Sequence, residues 1–187
     1  MKSYMSEDDC FNWNYGISLA STGNYETAEE ALLLVEDELY QEETCYNSWL
    51  ARCFIMNGKP EKAWDLYLKM ETTTESFQLL EVIGNDSYRM GHFLFAAKAF
   101  NVLGSVDPGP EFWDAKRGSC VGVFQEVLVA KEGSSSFPTT KHEESIAEVL
   151  SMLRSESNKN GVQAQHIANI IRNGAKEMGI HLKFSGI

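Results

Sequence analysis

Three glycine–alanine pairs recur through the first half of the chain at nearly constant spacing, and no other feature limits its fold so strongly. Gly23, Gly58 and Gly91 each precede an alanine (Ala28, Ala63, Ala96) by five residues, and the glycines lie 35 and 33 residues apart. Self-similarity at a fixed period of about 20 to 50 residues marks a repeat architecture, in which one small unit stacks on copies of itself. A helix-sized stretch precedes each glycine: Phe11 to Ser21, Tyr46 to Asn57, and Phe77 to Met90. A second follows it: Tyr25 to Leu39, Pro60 to Met70, and Phe93 to Leu103. Apolar residues in these stretches recur at three and four rather than at two, which is helical periodicity. A glycine between two helices ends the first in a left-handed cap, so the chain reverses and the helices lie antiparallel.

Size alternation supports the pairing. Gly16, Ala51 and Gly84 stand seven residues before the turn glycines, and Leu32, Tyr67 and Phe100 stand four after the alanines. Small residues let two helices approach, and the large apolar ones fill the space between neighbouring pairs. Pro108 closes the third unit. This order resembles the tetratricopeptide repeat, a helix-turn-helix unit of about 34 residues. The third unit matches best. The first two depart from the pattern at Asn12, where tryptophan is preferred, and at Pro60, where an aromatic is preferred.

The expected fold is an all-α tetratricopeptide-repeat solenoid with a capping helix and a C-terminal helical pair. Residues 1–108 hold three repeats, 109–130 the capping helix, 131–141 a flexible Ser-rich loop, and 142–187 the two-helix segment. Gly118 and Gly122 would permit close packing on the capping helix. Thr140-Lys141-His142-Glu143 has the form of a capping box. Ile146, Val149, Leu150 and Leu153 form one apolar stripe, and Ala164, Ile167, Ala168, Ile171, Ala175 and Met178 form another. These two helices could pack on each other or fold back onto the repeats; the pattern allows both.

Composition narrows the function. The chain is 43% hydrophobic, enough for a core, and carries 16 basic against 27 acidic side chains, a net charge of −11. Eleven of the acidic residues and only one basic residue, Lys2, fall in residues 1–50. Such acidity disfavours nucleic acid and anionic membranes, whose binding needs Lys and Arg, and reads most simply as a solvated face. No apolar run reaches the 18 or so residues that cross a bilayer. The opening MKSYMSEDD lacks the basic tip and apolar stretch of a signal peptide. Cys10, Cys45, Cys53 and Cys120 form no Cys-x-x-Cys pair, so reduced thiols are expected. In that setting the sequon at Asn85-Asp86-Ser87 is a chance match.

A reaction centre is not expected. His92, His142, His166 and His181 make no zinc-type spacing, no phosphate-binding or nucleophile-elbow motif occurs, and neighbouring carboxylates such as Asp8-Asp9 and Glu29-Glu30 read as solvated surface. No cofactor and no metal are implied, and the chain reads as a non-enzyme. Repeat proteins instead bind peptides or helices along the groove lined by their first helices. Helical spacing places Trp13, Arg52, Ile55, Asn85, Tyr88 and Arg89 there, with Ile17 and Glu81. A clamp for a free C-terminal carboxylate, as in peptide-binding co-chaperones, would need basic or amide residues where Trp13, Ser48 and Glu81 stand, so that rival reading is disfavoured.

Several longer strings carry a closer likeness. Tyr46-Asn-Ser-Trp-Leu-Ala-Arg-Cys-Phe-Ile-Met-Asn57, Ala63-Trp-Asp-Leu-Tyr-Leu-Lys-Met-Glu71, Ala96-Ala-Lys-Ala-Phe-Asn-Val-Leu103, Glu111-Phe-Trp-Asp-Ala-Lys-Arg-Gly-Ser-Cys-Val-Gly-Val-Phe-Gln125 and Glu148-Val-Leu-Ser-Met-Leu-Arg154 resemble the C-terminal region of the intraflagellar transport protein 56 family. The likeness runs from Phe11 to Lys183 and breaks at the 131–141 loop. Family members are longer, with more repeats upstream. The resemblance implies a non-enzymatic subunit of intraflagellar transport complex B, active in cilium assembly and delivery of motility components. Implied partners are other complex B subunits and ciliary motility cargo, and the implied location is the cilium and basal body with a cytoplasmic pool. Docking would then rest on apolar surface, with Ile167 and Ile171 of the final helix as candidates.

Overall fold

The computed structural model describes residues 8–133, 140–156 and 160–182, and these are all-α, with no strand among them. The chain divides into two compact units, Met1–Phe95 and Ala96–Ile187.

The first unit holds α1 (Asp9–Ser21), α2 (Tyr25–Leu32), the short α3 (Glu38–Gln41), α4 (Thr44–Met56), α5 (Pro60–Lys69) and α6 (Thr74–Arg89). The three turn glycines adopt the left-handed conformation expected of them, with φ of 86°, 72° and 79° at Gly23, Gly58 and Gly91. In each case the next residue's N–H closes the helix end. Asn24 donates to Leu19 O, Lys59 to Phe54 O and His92 to Ser87 O, at 3.0, 2.8 and 2.8 Å. This is the Schellman arrangement, which satisfies carbonyls the helix would otherwise leave unpaired.

α1 packs on α2 and α4 on α5 as hairpins, and α4 also contacts α2 and α6, so the hairpins stack. The small residues act as expected. Gly16 is buried, and a Cβ there would lie 2.6 Å from Leu32 Cγ; Ala28 and Ala63 are fully buried. Glu29, expected on the surface, is instead buried between the hairpins. Its carboxylate accepts from Asn57 Nδ2 at 2.7 Å and from Lys59 Nζ at 2.8 and 2.9 Å. Burial alone would raise its pKa, but the hydrogen bonds from Lys59 and Asn57 and the charges of Lys59 and Lys62 outweigh it and hold the group below the ordinary glutamate value.

The second helix of the first repeat is shorter than the Tyr25–Leu39 stretch in the sequence. It stops at Leu32 because its end is held from outside: Tyr46 Oη donates to Leu32 O at 2.9 Å, and the Asp9 carboxylate accepts from the N–H groups of Glu36 and Asp37 at 3.1 and 2.7 Å. Acidic Glu36, Asp37 and Glu38 would also oppose the dipole at a helix C-terminus. Asp37 instead caps α3 through Leu39 N. Leu33, Leu34 and Leu39 are left exposed.

α7 (Phe93–Val106) crosses the boundary between the units, and the second unit continues with α8 (Pro110–Gly133), α9 (Thr140–Arg154) and α10 (Gly161–Glu177). Pro110 opens α8 at the position where a missing N–H costs nothing. On α8, Gly122 is buried and Gly118 half-buried. Of the loop expected over 131–141, residues 131–133 belong to α8 and 140–141 to α9; residues 134–139 lie outside the described residues. Thr140, the capping residue of the expected box, is instead the first residue of α9, so the cap falls at position 139, outside the described residues.

The two C-terminal helices pack on each other and each also contacts α8. The stripe Ile146, Val149, Leu150 and Leu153 is buried, as are Ala164, Ala168, Ile171 and Ala175. Phe124 of α8 lies against Gly174, where a Cβ would come within 2.4 Å of its Cζ. Polar bonds fix the rest. Lys98 pairs with Glu148 at 2.9 Å, Trp113 Nε1 donates to Gln163 at 3.0 Å, and the buried Lys116 Nζ donates to Glu156 at 3.0 Å.

Candidate protein-interaction site

The stacking of α4 on α6 brings three of the sequence-derived groove residues into one neighbourhood. Arg52 Nε donates to Asp86 Oδ2 at 2.7 Å, and Arg89 Nη1 lies 3.8 Å from Asp86 Oδ1. Asn85 lies beside Asp86 in sequence and is exposed. The Asp86 side chain is only 4% exposed, whereas those of Arg52 and Arg89 are 36% and 75% exposed. The buried carboxylate is therefore an anchor, and the cations face outward. The Arg52 guanidinium also lies 5.3 Å over the Trp49 ring, a cation–π contact that restricts its orientation.

The other candidates are placed differently. Tyr88 is exposed and meets Phe93 edge-on at 5.5 Å. Trp13 is half-buried against Tyr40 and Tyr46, at 5.0 and 6.5 Å, and its indole N–H is buried without a hydrogen-bond partner among the described residues. Ile55 is fully buried and cannot line a groove: α4 is covered by neighbours on several sides, so its apolar residues serve the core. Ile171 is likewise buried, because its stripe faces α8 and α9, and Ile167 is half-buried. On α10 the exposed apolar side chains include Val162 and Ile170, and Ile170 shares a shallow groove with Phe124, Leu128 and Lys131 of α8 and with Glu177.

Trp49 and Asp86 were not among the sequence candidates. Arg52 and Asp86 are 34 residues apart, one repeat length, and a charge pair separated by the period was the available signal.

The two buried thiols are poorly suited to nucleophilic work. Burial pushes Cys53 up to about 11 and Cys120 up to about 12, with the charge of Glu29 adding to the first. Among the described residues no group of three His, Cys, Asp or Glu side chains could hold a metal ion, and no helix is long and apolar enough to cross a membrane.

Stacked helix hairpins with left-handed glycine turns, paired through small residues at a 34-residue period, define a helical-repeat protein of tetratricopeptide type. Comparison with known families takes the assignment further. Residues 1–183 match the model of intraflagellar transport protein 56, and the chain belongs to that family. A similar protein is the intraflagellar transport protein 56 homolog of Caenorhabditis elegans, 35% identical over 127 residues. That alignment covers 68% of this chain and 22% of the relative's length, so the chain spans well under a third of that relative.

Proposed function

We propose that this chain is a non-enzymatic protein-binding scaffold, the C-terminal part of an intraflagellar transport complex B subunit. It serves cilium assembly and delivery of motility components, at the cilium and basal body with a cytoplasmic pool. The observation that carries the reading is the family match over residues 1–183. The architecture agrees with it, since stacked helix pairs present extended surfaces that bind without chemistry. Two surfaces are assigned: the α4–α6 face with Arg52, Asn85 and Arg89, and the α8–α10 groove, where Ile170 and Leu128 take the place of the buried Ile171. Each purified complex B subunit should be mixed with the chain and run on size-exclusion chromatography with light scattering. A stoichiometric complex with one subunit supports the reading. No complex with any subunit, or with ciliary extract, overturns it.

A further inference from the structure

We propose that the Arg52–Asp86–Arg89 cluster is a binding site for an acidic side chain on a partner polypeptide. The inference deepens the scaffold reading and rests on it only in taking the ligand to be a protein segment. Two guanidinium groups share one buried carboxylate, so the cluster carries a surplus positive charge in a unit that is otherwise strongly acidic. Asp86 engages Arg52 through Nε alone. Both terminal nitrogens of Arg52 carry no hydrogen bond among the described residues, and Arg89 reaches Asp86 only as a 3.8 Å ion pair.

A guanidinium offers five N–H donors in a planar fork that matches a carboxylate two bonds at a time. Here the fork is held by Asp86 from behind and by the Trp49 ring from the side, so little side-chain freedom remains to be lost when a ligand arrives. Asn85, exposed next to Asp86, adds an amide donor. The occupant this chemistry selects is an aspartate or glutamate in an extended segment with apolar neighbours, which the half-buried Trp49 ring beside Arg52 can contact. The site differs from a clamp for a chain-terminal carboxylate, because the positions such a clamp uses hold Trp13, Ser48 and Glu81.

The test uses the full chain and a fluorescein-labelled octapeptide alternating leucine and glutamate, followed by anisotropy at low and moderate salt. The same peptide with glutamine for glutamate is the control. The glutamate peptide should bind and weaken with salt, and the glutamine peptide should bind roughly tenfold or more weakly, as expected for loss of hydrogen bonds to charged groups. Arg89→Gln, at an exposed position that leaves the fold intact, should weaken the glutamate peptide by a similar factor, and Arg52→Gln should do so more strongly. Equal affinity for the two peptides, no binding of either, or an Arg89→Gln variant that binds like the parent overturns the assignment. If one of those results accompanies an intact complex with a transport subunit, the acidic-ligand site fails while the scaffold reading stands.

Discussion

Removing one member of the buried Lys116–Glu156 pair should cost far more than removing both. The pair is 3.0 Å long, with side chains 5% and 16% exposed. At an effective dielectric of about 20 the attraction at that distance is about 5 kcal/mol, most of it offset by the desolvation of both ions. Lys116→Met keeps an unbranched apolar chain of similar length but removes the ammonium, which lies 6.0 Å over the Trp113 ring, and strands the Glu156 carboxylate. Stranding a buried charge costs roughly 3–5 kcal/mol, and the residual solvent contact of Glu156 puts the expectation near the lower end, about 3 kcal/mol. At about 2–4 °C per kcal/mol for a chain of this length, melting should fall by about 6–12 °C. The double variant Lys116→Met/Glu156→Leu should return to within about 1 kcal/mol of the parent, since well-packed apolar replacements of buried pairs are often neutral or stabilising. Urea unfolding followed by circular dichroism and by tryptophan fluorescence measures both. A single variant that loses under about 1 kcal/mol, or a double variant as unstable as the single, would refute the account of the pair as mutually dependent buried charges.

Three further expectations follow from packing, backbone geometry and titration. Gly174→Ala places a Cβ 2.4 Å from Phe124 Cζ and should cost about 1–3 kcal/mol in overpacking, less the gain in helix propensity of up to about 1 kcal/mol; adding Phe124→Leu should recover most of the loss in denaturant titrations. Gly58→Ala meets no atom within 4 Å, so its cost of about 1 kcal/mol comes from the left-handed backbone alone; Gly58→Asn should lose less, and equal losses would point to a steric cause instead. The depressed pKa of Glu29 means that its ionised form stabilises the fold above the unfolded value near 4.5, and that this contribution is lost as pH falls through the lower folded value. Glu29→Gln should therefore flatten the acid limb of a stability–pH curve, and an unchanged limb would exclude Glu29 as its source.

The repeat was legible because its determinants are local. A left-handed glycine needs only its own backbone, and Ala28 and Ala63 mark close helix approach by size alone. The first two helix pairs and the buried stripes of α9 and α10 followed from spacing. What escaped the sequence depended on tertiary partners. The early end of α2 is set by Tyr46 and Asp9, which lie 14 residues after Leu32 and 27 before Glu36. Ile55 and Ile171 sit on correctly drawn apolar faces, but periodicity gives a direction and not the number of neighbours that cover it. Glu29 resembled its solvated neighbour Glu30 because its partners Asn57 and Lys59 belong to the next hairpin. The same non-local logic hid Asp86 behind Arg52.

The cysteines give the molecule a way to report its own opening. Cys53 is buried in the first unit and Cys120 in the second, while Cys10 and Cys45 are exposed. The two accessible thiols can be blocked in a first brief exposure to an alkylating reagent. Any later modification then requires a unit to open, and its site, read by peptide mass, says which one. Each half thus keeps its own slow clock, with no engineered label, and a partner that steadies only one half would slow only that clock.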